Sequence, residues 1–254
     1  MPGAELPLDA VSIAIVVLGA VIAGFTTGVA GFGTGLVASG LWFHALPAAM
    51  VPPLVVLASV LAQIAGLFGV RRAFNLRAAA PLLAGGLIGV PFGVAALAIA
   101  PPTIIRTGVA LFLIAYALFQ FLASTPRTIG GTGGAPADVI VGAAGGFLGG
   151  FAGLSGPVPL IWLQLRGGAS DAQRAIYQPF NLLVLGFAAA AMAIAGQLTW
   201  QVLTVALICL PATMASAWAG VQVYGRISQS TFRRVVLMLL LLSGTILLAQ
   251  TLLR

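Results

Sequence analysis

Two short segments of this sequence combine glycine with hydroxyl side chains in a pattern suited to binding an anion. The first segment is AGFTTGVAGFG at 23–33, and the second is GLSGP at 153–157. A helix that starts at such glycines has first-turn N–H groups without an intrahelical partner, and its N-terminus carries about half a positive charge. Glycine lets this backbone approach a ligand closely, and Thr or Ser hydroxyl groups add donors without a permanent charge. The two segments therefore predict a site for a small anion.

The candidate ligands come from both segments and from the residues that follow the second one. The candidate substrate-binding residues are Thr26, Thr27, Gly28, Gly31, Phe32, Gly33, Ser155, Gly156, Pro157, Arg174, Gln178 and Asn181. Gln178 and Asn181 are expected in the wall of the site, because a buried amide is costly unless it is paired. Arg174 is expected to draw anions inward.

Both groups of residues also have a purely structural interpretation. Small residues in membrane helices often serve only to let two helices pack closely. Gln178 and Asn181 flank Pro179, so their amides could instead bond the carbonyl groups that a proline leaves without a donor.

The elements that position these residues are expected in a lipid bilayer. Hydrophobic residues make up 61% of the 254 residues and charged residues only 6%, whereas water-soluble domains carry about 25% charge. No charged residue occurs between Asp9 and Arg71, and later charge-free stretches approach the ~20 residues that a spanning helix needs. The apolar–polar alternation of a membrane barrel does not occur in the sequence. We therefore expect an all-α polytopic membrane protein.

The chain divides into two similar halves. Residues 1–123 form the first predicted transmembrane repeat, residues 124–137 a linker rich in turn-forming residues, and residues 138–254 the second repeat. Gly28 and Gly31 match Gly153 and Gly156, and similar matches elsewhere keep a spacing of 125 to 127 residues. Such a nearly constant spacing predicts an internal repeat.

Each half is predicted to contain one Gly-broken helical hairpin, re-entrant in the simplest reading, followed by three transmembrane helices. The predicted elements are 11–44, 47–70, 78–100 and 104–123 in the first half, and 138–165, 175–196, 200–223 and 233–253 in the second. A hairpin that leaves on the side it entered gives an odd number of crossings per half. The two repeats would then be inverted relative to each other.

The arginines set the expected orientation. The net charge of +7 includes eleven Arg and no Lys, and these arginines fall in loops rather than along one helical face, so nucleic acid is not an expected partner. Cytoplasmic loops of membrane proteins gather positive residues. Arg71, Arg72 and Arg77 lie in one loop, whereas the corresponding loop of the second half, 196–201, carries no charge. This pattern places the linker, with Arg127, in the cytoplasm and both termini outside.

The residues at the breaks also resemble a known family. The segments AGFTTGVAGFGTGLVA at 23–38, PPLVVLAS at 52–59, GVPFGV at 89–94 and GGFAGLSGPVPLIWLQLRG at 149–167 are similar to the sulfite exporter TauE/SafE family of bacterial membrane transporters. The resemblance extends from about residue 12 to residue 250. It implies export or facilitated movement of sulfite, sulfoacetate or other organosulfonates across the bacterial inner membrane. Two inverted halves whose Gly-rich breaks meet near the midplane predict alternating access around a site there.

Two functions other than carrier transport are alternatives, a passive anion channel and an intramembrane serine protease. A passive anion channel would share this fold. The sequence Gly153-Leu154-Ser155-Gly156 fits the pattern of an intramembrane serine protease, which needs a histidine close to Ser155. The only histidine, His44, precedes Ser155 by more than a hundred residues and is expected at a membrane edge. We therefore expect no enzyme. The sequence has no metal-ligand cluster and no nucleotide-binding loop, so we expect no cofactor and no metal. A homodimer is possible.

Overall fold

The computed structural model describes residues 9–69, 74–122, 130, 133–223, 226 and 228–253. Arg71, Arg72, Arg127 and most of the predicted linker lie outside this part. The described residues form ten helices and no strand, as the sequence predicts. The helices are α1 (Ala10–Ala30), α2 (Thr34–Trp42), α3 (Val51–Gly69), α4 (Leu76–Ile99), α5 (Pro102–Leu122), α6 (Gly134–Ala152), α7 (Pro157–Arg166), α8 (Ser170–Ile194), α9 (Trp200–Val223) and α10 (Gln229–Leu252).

Seven of these helices are long and apolar enough to cross a membrane. They are α1, α4, α5, α6, α8, α9 and α10. Large apolar side chains on the outside of the bundle remain exposed, including Ile99 (85%) and Ile194 (89%). Lipid tails solvate such side chains, so this exposure is expected of a bundle embedded in a bilayer. The chain is thus a multi-pass membrane protein.

Both Gly-rich segments interrupt a helix, as the sequence predicts. The first break follows α1, and Gly31 and Gly33 have φ angles of 80° and 113° there. The second break follows α6, where Gly153 has a φ of 72°. These left-handed conformations disfavour any residue with a Cβ, which explains the glycines at these three positions.

Each short helix after a break folds back along the helix before it. The indole Nε1 of Trp42, at the end of α2, donates to the carbonyl of Val16 near the start of α1 over 2.9 Å. The indole Nε1 of Trp162 in α7 donates to Asp138 near the start of α6 over 2.7 Å. Both broken segments are therefore hairpins whose short arm returns toward the end at which the long arm began.

Glycine also brings long helices of opposite halves together. A Cβ on Gly24 or Gly28 of α1 would lie within 2.3 Å or 2.1 Å of a backbone oxygen of α9. On α4, Gly85 and Gly89 approach the backbone of α6 in the same way. Small residues permit such close backbone contact between membrane helices. Gly28 thus has the packing role that the sequence left as an alternative to ligand binding.

The succession of one long helix, one short helix and three long helices occurs twice along the chain. Helix α1 packs against α9, and α6 packs against α4, so the halves are interleaved rather than side by side. The inverted relation of the two halves stays a prediction.

Candidate functional site

The two breaks meet at a small pocket in the middle of the bundle, which we call the central pocket. Its volume is about 20 Å3, room for about one water molecule. The predicted ligands that line it are Thr27, Phe32, Gly33, Ser155, Gly156, Pro157 and Asn181. Gly35 brings the breaks into contact, because a Cβ there would lie 2.4 Å from the carbonyl oxygen of Gly153.

Two helix N-termini face this pocket. Helix α2 begins at Thr34 and α7 at Pro157, and both residues line the pocket. The backbone N–H of Thr34 donates to the Thr27 hydroxyl over 2.8 Å, and the two hydroxyl oxygens are 2.5 Å apart. The remaining first-turn N–H groups of α2 have no acceptor within their own helix. The pocket thus combines backbone donors with the positive ends of two helix dipoles.

Side chains from α3 and α8 complete the wall of the central pocket. Asn181 of α8 accepts a hydrogen bond from the Ser155 hydroxyl over 3.1 Å. On α3, Ser59 and Gln63 also line the pocket, and Gln63 donates to the carbonyl of Gly31 over 3.3 Å. Asn181 therefore lies in the wall of the site, where the sequence places it.

A larger cavity of about 330 Å3 adjoins the central pocket, and we call it the vestibule. Its polar lining includes Gln120, Gln164, Gln173, Arg174, Tyr177 and Arg233. Ser170 and Arg233 at its rim are exposed, whereas Arg174 is buried. Arg233 donates to both the backbone carbonyl and the side-chain oxygen of Gln120, over 2.8 Å and 2.6 Å. The vestibule thus brings two arginines and three glutamines, among mostly apolar side chains, close to the first break.

The carbonyl end of α1 is held by α8. The Tyr177 hydroxyl donates to the carbonyl of Ala30 over 2.8 Å. The Arg174 guanidinium packs so closely on Gly31 that a Cβ there would lie 2.8 Å from its Nε. A cation is favourable beside the negative end of a helix dipole, which explains how this arginine is accommodated in the bundle.

Phe32, Gly33 and Leu36 line both the vestibule and the central pocket. They therefore form the boundary between the two cavities. The Phe32 ring meets the Tyr177 ring edge-on, with centroids 6.1 Å apart. Access from the vestibule to the central pocket requires this boundary to move.

Some predicted ligands occupy other places. Gly28 packs on α9, Gly31 packs on Arg174, and Gln178 is buried on α8, but none of the three lines either cavity. Thr26 lines the vestibule, yet its hydroxyl donates to the carbonyl of Ile22 over 2.7 Å. The Thr26 hydroxyl is therefore paired within its own helix, α1, in this conformation.

Several lining residues are not among the ligands predicted from the sequence. Ser59 and Gln63 are four residues apart in an apolar stretch, so they share one helix face, and this spacing could have identified them. Gln120, Gln164 and Arg233 belong to three different helices. No local pattern joins them, so only the packing of α5, α7 and α10 could show their proximity.

His44 lies away from the central pocket. Its Nδ1 is 3.0 Å from the side-chain oxygen of Gln250, and its Nε2 is 3.2 Å from the hydroxyl of Ser243, both on α10. Ser155 instead bonds to Asn181. The arrangement therefore does not bring together the nucleophile and base that a serine protease needs.

The family of the chain follows from a match over nearly its whole length. The family model of the sulfite exporter TauE/SafE matches residues 16–247, which include both breaks and all the helices that surround the two cavities. The chain belongs to the sulfite exporter TauE/SafE family. Comparisons with curated proteins and with solved structures each gave no significant match. Membership of TauE/SafE makes the chain a member of a transporter family, in agreement with its apolar spans.

Proposed function

We propose that this protein exports small sulfur-containing anions, such as sulfite or organosulfonates, across the bacterial inner membrane by alternating access. The observation that carries the proposal is the central pocket, where two helix N-termini converge beside a vestibule that contains Arg174 and Arg233. Membership of the sulfite exporter TauE/SafE family supports the substrate class. The backbone donors suit an oxyanion of any of these compounds.

The two ends of the bundle differ in a way that supports alternating access. The vestibule opens beside the end of α5 and the start of α10. At the opposite end of these helices, Ile105, Val109 and Leu247 are almost fully buried, as are Phe43 and Val51 nearby. A carrier needs a site that opens to one side at a time. In this conformation the vestibule approaches the central pocket from one end, with the Phe32 boundary closed, and the residues named at the opposite end are packed.

Contacts along α5 support inverted repeats. The start of α5 lies near the first hairpin, since Arg106 donates to the carbonyl of Leu46 over 3.4 Å. Near the end of α5, Gln120 donates to Gln164 of the second hairpin over 3.3 Å. The two hairpins thus begin at opposite ends of α5, as inverted halves would.

The described arginines support an orientation with the vestibule facing the cytoplasm. Arg106 lies at the opposite end of the bundle, near Leu46. The arginines near the vestibule end are Arg77, Arg166, Arg174, Arg226, Arg233 and Arg234. The positive-inside rule assigns the end with more arginines to the cytoplasm. A vestibule on that side would collect its substrate from the cytoplasm, as export requires.

Transport by purified protein in proteoliposomes tests this function. Saturable uptake of sulfite or methanesulfonate, accelerated by unlabelled substrate on the opposite side, is the expected result for a carrier. Conductance without such acceleration would indicate a passive channel instead. Thermal unfolding with sulfite, sulfoacetate, taurine, thiosulfate and short carboxylates gives a second readout, because a ligand of the folded state raises the melting temperature. Stabilisation by carboxylates alone would refute the substrate class.

A further inference from the structure

The central pocket is polar but contains no charged side chain among its described lining residues. Its polar side chains are Thr27, Thr34, Ser59, Gln63, Ser155 and Asn181. The arginines Arg174 and Arg233 line only the vestibule, on the other side of Phe32. An anion in the central pocket is therefore stabilised by neutral donors and helix dipoles.

The number of helix N-termini limits the charge that this pocket can stabilise. Each N-terminus contributes about half a positive charge, so α2 and α7 together supply at most about one, and the carbonyl ends of α1 and α6 at the same breaks weaken this field. A single negative charge is therefore the most that this field can balance. A dianion would keep about one uncompensated negative charge in a medium of low dielectric constant, which is costly.

Ser59 gives an independent indication that a ligand binds here. It is 3% exposed and lines the central pocket, and its Oγ has no hydrogen-bond partner among the described residues. Buried hydroxyl groups normally have a partner, because an unpaired one costs free energy. Leu185, at the matching position of the second half, lines the same pocket with an apolar side chain. A ligand oxygen that accepts from Ser59 would supply the partner.

We infer that the central pocket, once it widens from its present volume of about 20 Å3 by movement of the Phe32 boundary, selects monovalent anions, and that Ser59 Oγ donates a hydrogen bond to one oxygen of the bound anion. The selected species are hydrogen sulfite and sulfonates with a single charge, and the excluded species are the sulfite dianion, sulfate and sulfoacetate. This inference rests on the proposed transport of sulfur-containing anions and specifies the charge state of the substrate.

The first test compares two sulfonates of nearly equal shape. Sulfoacetate carries two charges, and its amide, carbamoylmethanesulfonate, carries one. In competition against labelled methanesulfonate uptake by proteoliposomes, the amide should inhibit at a concentration about tenfold lower than sulfoacetate does. Equal inhibition by both, or stronger inhibition by sulfoacetate, would overturn the inference.

The pH dependence of sulfite transport gives a second test, because hydrogen sulfite loses its proton near neutral pH. At fixed total sulfite, initial uptake should fall about tenfold per pH unit above that pKa, after subtraction of uptake by protein-free liposomes. Methanesulfonate stays a monoanion, so its uptake should remain constant. Because methanesulfonate does not titrate, any change in its uptake would come from titratable groups of the protein. Of these groups, Arg174 and Tyr177 on α8 face the first break, and His44 lies at the far end of α2.

Sulfite uptake that rises or stays level with pH, while methanesulfonate uptake is constant, would overturn the choice of charge state. Failure of the proposed function would look different, since neither sulfite nor methanesulfonate would then be transported at any pH.

A pair of matched variants tests Ser59. Ser59→Ala should raise the half-saturation concentration for methanesulfonate about tenfold, because a hydrogen bond to a charged group is lost. The melting temperature without substrate should not fall, since no described residue uses this hydroxyl. Ser39 is the control, because it is also fully buried without a described partner but lines neither cavity. Equal half-saturation for Ser59→Ala and Ser39→Ala would refute the role of Ser59.

Discussion

The first and second breaks share one design but have different surroundings. In each, a helix ends at a glycine, a short helix folds back, and the new N-terminus faces the central pocket. The carbonyl end of α1 is surrounded by Arg174, Tyr177 and Gln63. At the second break, a Cβ on Gly153 would instead contact the apolar side chain of Val55, at 2.5 Å.

The two breaks therefore differ in the chemistry of the residues around them. At the spacing of 126 residues that relates Pro53 to Pro179, the counterpart of Arg174 is Ala48 and that of Tyr177 is Val51. The polar surroundings of the first break line a vestibule, whereas the second break packs on Val55 and on the amide of Asn181 and lines only the central pocket. We expect the first break to receive the anion and the second to act mainly as a wall.

The N-termini differ in the number of donors as well. Helix α7 has proline at its first and third positions, so Pro157 and Pro159 supply no N–H group. Helix α2 begins Thr34-Gly35-Leu36 and keeps all its backbone donors. The first break should therefore contribute more to anion binding.

The largest expected effect is that of a change at the contact between the breaks. Gly35→Ala should lower transport more than tenfold and also lower the melting temperature, since the new Cβ would lie 2.4 Å from a backbone oxygen that cannot rotate away. Uptake and thermal unfolding of the purified protein measure these effects. Gly186→Ala is the control, because nothing lies within 4 Å of the position of its Cβ. Uptake by Gly35→Ala equal to that of Gly186→Ala would show that the breaks need not touch.

Removal of the vestibule charge should have the next largest effect. Arg174→Gln should raise the half-saturation concentration for substrate roughly tenfold at low ionic strength, because a positive cleft concentrates anions. The effect should shrink as salt is added, because salt screens the attraction between Arg174 and the anion in the unsubstituted protein. Initial rates at several salt concentrations provide the measurement. Arg77→Gln removes the same charge from an exposed position at the start of α4 and should change the rates little. Identical behaviour of both variants would exclude the vestibule as the route of access.

The smallest expected effect is that of a substitution that makes the second break more like the first. Pro157→Ala restores a backbone N–H at the first position of α7 and should strengthen anion binding about threefold. The gain is small because the new hydrogen bond replaces hydrogen bonds that the N–H group and the anion would otherwise make with water. Titration of methanesulfonate by thermal shift measures the change, with the exposed Pro91→Ala as control. Weaker binding by Pro157→Ala would mean that the ring itself shapes the pocket.

Most of the fold could be predicted from the sequence because bilayer thickness and backbone hydrogen bonding leave few choices. Charge-free stretches correspond to the long helices, and the glycines at 31, 33 and 153 coincide with the observed left-handed turns. The sequence does not show whether an individual glycine serves helix packing or a turn. Gly28 carries the same sequence signature as Gly31, yet its environment is a neighbouring helix.

The candidate site was predictable only in part. The hydroxyl group in the second Gly-rich segment predicts Ser155, and an amide at membrane depth predicts Asn181. These two side chains hydrogen-bond to each other in the central pocket. Gln178 satisfies the same criterion but lines neither cavity. A buried amide can serve either a ligand or its own helix, and composition does not distinguish these uses.

The sequence alone determined that the chain is a helical membrane protein with two interrupted helices, because hydrocarbon permits unsatisfied backbone groups only where protein, water or ligand can satisfy them. Only the tertiary structure decided that the vestibule lies at the first break and that Phe32 separates it from the central pocket. These features depend on side chains from α3, α5, α8 and α10, which are distant in sequence and meet only through helix packing.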